Sequence, residues 1–322
     1  MQETPGEPAA SAETPPQGER FVPGPEGDAS KPVCTPKPRE NQFLRRLHKL
    51  GRHFRMIGEF AATRFSGSRV RDTFKDVERF AVFLGYPFSG TSLMGSLIDA
   101  HPEAVISHEM NFLKYFNFGF NRYQIFQLLL RNSQEMAREG RSQSGYEFDV
   151  PNQWQGRFTR IRVIGDKRSS TLLRAVKRRP GLLDKFAGHI GAPLMCFHMI
   201  RNPYDNITRI CRESNDGRLD NAVEYYFWLV DILEGIRRRT PPENFMDLRL
   251  ETLIGDAVGS LRKACAFLKL EPQEDYLRDC AGIVFKSPRK TRFGLPWTQK
   301  LIDQVKAGIE RVEFLRGYTF ED

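Results

Sequence analysis

The stretch Gly85-Tyr-Pro-Phe-Ser-Gly-Thr-Ser92 carries the residue types from which an anion cradle is made. It follows the apolar run Phe80-Ala-Val-Phe-Leu84 and leads into Leu93-Met-Gly-Ser-Leu-Ile98, so a strand, a glycine-containing turn bearing hydroxyls and a helix N-terminus come in that order. Backbone N–H groups converge at such a turn, and the helix dipole favours negative charge there. The spacing from Gly85 to Gly90 is that of a Walker A loop, yet Thr91-Ser92 stand where lysine and a hydroxyl residue would follow. The lysine that reaches the β and γ phosphates is therefore missing, which weakens a kinase or ATPase reading and suits a phosphate beside a different group. The plainer alternative is an ordinary strand-to-helix turn capped by Ser89 or Thr91.

The elements that must hold this loop follow from periodicity. Residues 80–84, 161–164, 194–200 and 245–250 read as strands, and 91–100, 169–187, 203–213, 219–238, 257–269 and 298–313 as helices. Strands alternating with helices predict an α/β fold, a P-loop-like three-layer domain with a mainly parallel sheet flanked by helices. This domain is expected over 79–322. Residues 1–40, rich in Pro, Gly, Ser and Glu and almost free of aromatics, read as a disordered tail. Between them, 41–78 reads as a basic amphipathic helical extension. Phe43, Leu44, Leu47, Leu50, Phe54, Ile57 and Phe60 recur at helical spacing among arginines and lysines. Such a helix either packs its apolar face on the domain or adsorbs to an anionic bilayer surface.

Composition narrows the partners. The 322 residues carry 49 Lys and Arg against 40 Asp and Glu, a net charge of +9 that fits nucleic acid, a membrane surface or a small polyanion. No RNA-recognition, zinc-finger or homeodomain signature is present, so no nucleic acid is expected. The five cysteines include no CxxC pair and no cluster with histidine, which suggests neither a zinc site nor a disulfide framework, but reduced thiols, mostly in the core. No apolar stretch is long enough to cross a bilayer. The first residues lack a basic segment followed by an apolar one, which makes the cytoplasm the expected compartment, with peripheral membrane association the alternative.

The run Pro87-Phe-Ser-Gly-Thr-Ser-Leu-Met94, with Asp99-Ala-His-Pro102, resembles the donor loop of sulfotransferases that use 3'-phosphoadenosine 5'-phosphosulfate. It is most similar to the tyrosylprotein and bacterial branches, whose pattern is Pro-Arg-Ser-Gly-Thr-Thr-Leu-Met followed by Asp-Ala-His-Pro. The resemblance implies that Ser89, Gly90, Thr91 and Ser92 hold the 5'-phosphosulfate. Phe88 stands where the family has Lys or Arg, so either another cation substitutes or catalysis is impaired.

Leu194-Met-Cys-Phe-His-Met-Ile-Arg-Asn-Pro-Tyr-Asp205 resembles the family's 3'-phosphate segment, which implies that Arg201 grips the nucleotide. A guanidinium meets phosphate oxygens bidentately. The family's serine lies eight residues after this arginine, where Arg209 stands, and Thr208 falls one short. Thr208 and Arg212 keep the spacing of four seen in the tyrosylprotein branch and carry over as binding residues.

By the same resemblance Glu109 corresponds to the general base and Lys167 to a cation that neutralises developing charge, with His108 a rival base. Arg249-Leu-Glu-Thr-Leu253 resembles the family's Arg-Tyr-Glu-Asp-Leu element. Lys286 to Trp297 has the character of its nucleotide-covering loop, or else is a solvated basic loop. The resemblance spans Phe80 to Tyr318.

The implied activity is transfer of a sulfuryl group from 3'-phosphoadenosine 5'-phosphosulfate to a hydroxyl or amine acceptor, with no metal needed. The alternatives are a nucleotide-binding protein that kept the fold and lost catalysis through Phe88, and a P-loop kinase requiring ATP and Mg²⁺. The aromatic-rich segment from Asn111 to Trp154 is expected to build the acceptor pocket. Its contents do not distinguish a peptide tyrosine from a glycan, lipid or small metabolite.

Overall fold

The computed structural model describes residues 56–64, 68–143, 146–214 and 216–322. The expected tail over 1–40, and residues 41–55 of the expected basic helix, lie outside them. The chain begins with α1 (56–64) and α2 (Ser68–Thr73), then β1 (Arg79–Gly85), α3 (Thr91–Asp99) and β2 (Ala104–His108). It continues through α4 (Phe112–Phe118), α5 (Arg122–Glu139), the short hairpin β3 (Ser142–Gln143) and β4 (Tyr146–Glu147), and β5 (Val163–Lys167). There follow α6 (Ser170–Arg178), α7 (Leu182–Ile190), β6 (Leu194–Ile200), α8 (Pro203–Glu213), α9 (Leu219–Arg237) and β7 (Phe245–Arg249). The C-terminal part is helical: α10 (Leu250–Gly255), α11 (Ala257–Leu268), α12 (Glu274–Ile283) and α13 (Gln299–Arg311).

Five strands form one parallel sheet in the order β2-β5-β1-β6-β7. Alternation along β1 shows why helices cover both faces. Phe80, Val82 and Leu84 point into one apolar cluster, shared with α5 to α9 and α13. Ala81 and Phe83 point into the other, shared with α3, α11 and α12. A strand buried on both sides must be apolar at every position, as Phe-Ala-Val-Phe-Leu is. The architecture is therefore α/β, a parallel sheet between two helical layers.

Several elements differ from the sequence reading. The strand expected at 161–164 is β5, two residues later, so that it ends on Asp166 and Lys167. The helix expected over 169–187 is two helices, broken at Pro180-Gly181, where Gly181 takes φ 86°. β2 is not among the strands expected from the sequence. Residues 111–154, expected to wall an acceptor pocket, contribute mostly α4 and α5, whose Phe112, Ile125, Phe126 and Leu129 are core. α5 starts at a capping box between Asn121 and Gln124.

In α1, Met56 is buried, and the Phe60 ring meets Phe118 and Phe120 at 6.3 and 5.1 Å. Gln124 Nε2 donates to Phe60 O and Thr63 Oγ1 at 3.1 and 3.0 Å. This part of the extension thus packs on the domain. Among the described residues no helix is long and apolar enough to cross a membrane. Cys196, Cys211, Cys265 and Cys280 are free and buried.

The segment after α12 is held down by a buried ion pair. Arg292, 1% exposed, sets Nη1 2.7 Å from Asp205 Oδ2 on α8, while its backbone N–H donates to Asp205 Oδ1 at 2.9 Å. This part of the basic loop is therefore not solvated. Removing one partner of such a pair strands a charge in the interior, at a cost of about 3–5 kcal/mol. Arg292→Met should accordingly lower the urea midpoint strongly, and Asp205→Asn in the same chain should recover part of the loss. Equal midpoints for wild type and Arg292→Met would show that the pair does not hold this segment.

Candidate functional site

The carboxyl ends of β1, β2, β5 and β6 open on one side of the sheet, where ligands of open parallel sheets bind. A cleft of about 280 Å³ lies there, lined by Pro87, Phe88, Gly90, Thr91, Ser92, Glu109, Lys167 and Arg201 among others. Its floor is the loop after β1. Gly90 caps α3 with φ 93° and no side chain caps the helix, so the expectation of a Ser89 or Thr91 cap is not met. The first N–H groups of α3 are left available to an anion. The positive φ at Gly90 favours glycine at this position, and a Cβ would also press on Leu250 Cδ1 at 2.7 Å. The Ser89 hydroxyl is buried without a hydrogen-bond partner among the described residues. The loop is fixed from outside by α8 and the end of β6: Asn206 Nδ2 donates to Pro87 O, and Arg201 Nη1 donates to Phe88 O at 3.2 Å.

Lys167 and Glu109 meet because β2 and β5 pair in register, His108 opposite Lys167. Lys167 Nζ lies 2.9 Å from Glu109 Oε1. The lysine stem is buried against Gly95 of α3, where a side chain would sit 3.1 Å from its Cβ. Burial pushes the Lys167 ammonium below its ordinary pKa, against the opposing pull of Glu109. Burial would raise the Glu109 carboxyl, but the Lys167 charge and hydrogen bond outweigh it and leave it below the usual value of 4.5. His108 does not line the cleft, whereas Glu109, with φ 56°, turns into it.

That turn depends on Asp166, which sequence reasoning missed. The backbone N–H groups of Met110, Asn111 and Phe112 donate to its buried carboxylate at 3.1, 2.7 and 3.1 Å, and Ser107 Oγ donates at 2.7 Å. Three successive N–H groups form a nest that an anion fills. Burial raises the Asp166 carboxyl in spite of these donors. The only local signal was an acidic residue inside an apolar strand end.

Arg201 is 8% exposed and bridges two loops, with Nη2 donating to Arg289 O at 2.7 Å. Burial lowers its pKa below the ordinary arginine range, opposed by Asp205 and Glu251. Thr208 and Arg212 face the C-terminal segment: Trp297 Nε1 donates to Thr208 Oγ1 at 3.1 Å, and Arg212 Nη2 donates to Gly294 O at 2.8 Å. Neither lines the cleft. Arg209, between them in sequence, does line it, its guanidinium carbon 4.8 Å from the Phe88 ring centroid.

The opposite wall is aromatic. Tyr146 packs on Phe285 at 5.2 Å and on Phe148 at 6.2 Å, with Arg289 over the Tyr146 ring. Gly90, Thr91, Ser92, Glu109, Lys167 and Arg201 are thus brought together, joined by Arg209 and by Ser169 and Ser170 at the uncapped start of α6, while Ser89 is buried beneath the loop and does not line the cleft. Glu251, from the Arg-Leu-Glu-Thr-Leu element, accepts from Asn202 N at 2.9 Å and Tyr318 Oη at 2.6 Å. Its role is to clasp the chain's last residues. Among the described residues no group of three His, Cys, Asp or Glu could hold a metal ion.

No family profile matches the sequence. No curated protein matches it. Solved structures do. The sulfotransferase domain of the Synechococcus PCC 7002 olefin synthase is 15% identical with a TM-score of 0.42, over 70% of this chain and 83% of that one. The sulfotransferase domain from the curacin biosynthetic pathway is 14% identical with a TM-score of 0.44, over 71% and 98%. Sulfotransferase STF1 of Mycobacterium tuberculosis H37Rv is 12% identical with a TM-score of 0.43, over 76% and 81%. In each case the chain is similar to a sulfotransferase.

Proposed function

We propose that this protein transfers a sulfuryl group from 3'-phosphoadenosine 5'-phosphosulfate to a hydroxyl or amine acceptor. The observation that carries this reading is the Lys167–Glu109 pair, 2.9 Å apart, in the same cleft as an uncapped helix N-terminus and Arg201. The N–H groups at the start of α3, with Ser89, Thr91 and Ser92, suit the 5' anionic end of the donor. Arg201 and the rim beyond it suit the 3'-phosphate, and the aromatic wall of Tyr146, Phe148 and Phe285 a planar base. The donor brings an activated sulfur whose leaving group is a phosphate.

Glu109 takes the acceptor proton as the acceptor's heteroatom forms its bond to sulfur. The bond from sulfur to the bridging oxygen breaks, and the electron pair departs with adenosine 3',5'-bisphosphate. Lys167 neutralises the charge that grows on the sulfuryl and bridging oxygens. A nucleotide-binding protein without turnover is the second reading, favoured by the uncharged Phe88 in the loop.

Adenosine 3',5'-bisphosphate should raise the melting temperature more than ATP does at equal concentration, since a ligand of the native state stabilises it by mass action. Arg201→Ala should remove most of that shift. Equal shifts with both nucleotides would defeat the donor assignment. Transfer of labelled sulfur to an acceptor would separate the enzyme from the silent binder.

The catalytic roles make a kinetic expectation. Lys167→Ala should lower kcat about 10²–10³-fold with little change in donor affinity. Glu109→Gln should lower it about 10²–10⁴-fold. Glu109 must be ionised and Lys167 protonated, and both pKa values lie below their ordinary 4.5 and 10.5. The profile of kcat/KM against pH should therefore fall on the acid side below 4.5 and on the alkaline side before 10.5. An acid limb that moves in His108→Gln and not in Glu109→Gln would instead assign the base to His108.

A further inference from the structure

The geometry points to Arg209 as the guanidinium that meets the 5' end of the donor, and to Phe88 as the residue that positions it. This inference rests on the donor reading above. Three cations line the cleft near the loop, and they are differently committed. Lys167 is bound to Glu109, and Arg201 gives Nη1 and Nη2 to the carbonyls of Phe88 and Arg289. Arg209 sets its guanidinium carbon over an aromatic face, 4.8 Å from the Phe88 centroid. A guanidinium held over a ring is attracted as a cation without giving its N–H groups to an oxygen acceptor, so its fork can still meet an anion. Its ionic partner is Glu213, one turn along α8 at 3.3 Å, with a side chain 54% exposed. An exposed pair of this kind is weak, so an incoming phosphate or phosphosulfate displaces it at little cost.

Phe88 is built to serve as that shelf. It adopts φ 65°, a left-handed conformation that is a genuine outlier for a bulky residue. Such strain persists only where the surroundings enforce it. Here Asn206 holds the preceding carbonyl and Arg201 holds its own, while the ring packs against the core. One residue thus arrays two arginines, Arg201 through its carbonyl and Arg209 through its ring. An apolar side chain in this loop supplies charge to the site at second hand.

The test is isothermal titration of the full chain with adenosine 3',5'-bisphosphate and with adenosine 3'-monophosphate, whose affinity ratio reports contacts to the 5' phosphate alone. Wild type should prefer the bisphosphate. Arg209→Ala should cut the ratio at least about tenfold, as for loss of a charged hydrogen bond, with affinity for the monophosphate nearly unchanged. Arg209→Gln gives the same reading should the alanine variant fold poorly. Phe88→Leu, which keeps an apolar side chain but removes the ring face, should also lower the ratio, and Phe88→Tyr should retain it. An unchanged ratio in Arg209→Ala, or equal weakening of both ligands, overturns the role of Arg209. An unchanged ratio in Phe88→Leu overturns the shelf. If wild type binds neither ligand, the donor reading itself falls.

Discussion

The site depends on one constraint, the in-register parallel pairing that brings the ends of β1, β2, β5 and β6 to the same edge. Pairing of His108 with Lys167 sets Glu109 just beyond the lysine. Pairing of Gly85 with Met199 sets the loop after β1 beside the strand end that carries Arg201. Because side chains in a strand alternate faces, a slip of β5 by one residue against its neighbours would turn Lys167 away from α3. Burial of both sheet faces makes such a slip costly, since it would exchange the inhabitants of the two apolar clusters.

Around that edge the protein spends its buried polar groups on positioning. Asp166 gathers three successive N–H groups and so turns Glu109 into the cleft. Asn206 and Arg201 hold the two carbonyls of Pro87 and Phe88. The Asp205–Arg292 pair fixes the segment whose Arg289 carbonyl completes the hold on Arg201. Each of these groups sits in a low-dielectric setting where an unmet partner is costly, which makes the arrangement stiff. A preorganised site is what charge stabilisation in a transition state requires.

The electrostatics are uneven in a useful way. The Lys167 charge holds the Glu109 carboxyl below its ordinary pKa, and burial holds the Lys167 ammonium below its own. Arg201 is similarly pressed by burial.

Local order was legible in the sequence, because a strand, a glycine turn and a helix start are properties of neighbouring residues. Gly85 to Ser92 could be read as a strand-to-helix loop, Arg201 as a strand-end cation, and alternation of strands and helices as a parallel sheet with two helical layers. What tertiary structure alone decided is how elements rotate about their axes and which distant residues they meet. Along α8, Thr208, Arg209 and Arg212 differ only by the rotation of the helix, and packing of its apolar face turns Arg209 to the cleft and the other two to Trp297 and Gly294. Asp166 and Asn206 act on backbone groups that no spacing rule connects to them. Whether the loop around Arg292 is solvated stayed open in the sequence because its partner lies 87 residues away in the chain. Hydrogen bonds and ion pairs of that range depend on the folded path, which periodicity does not encode.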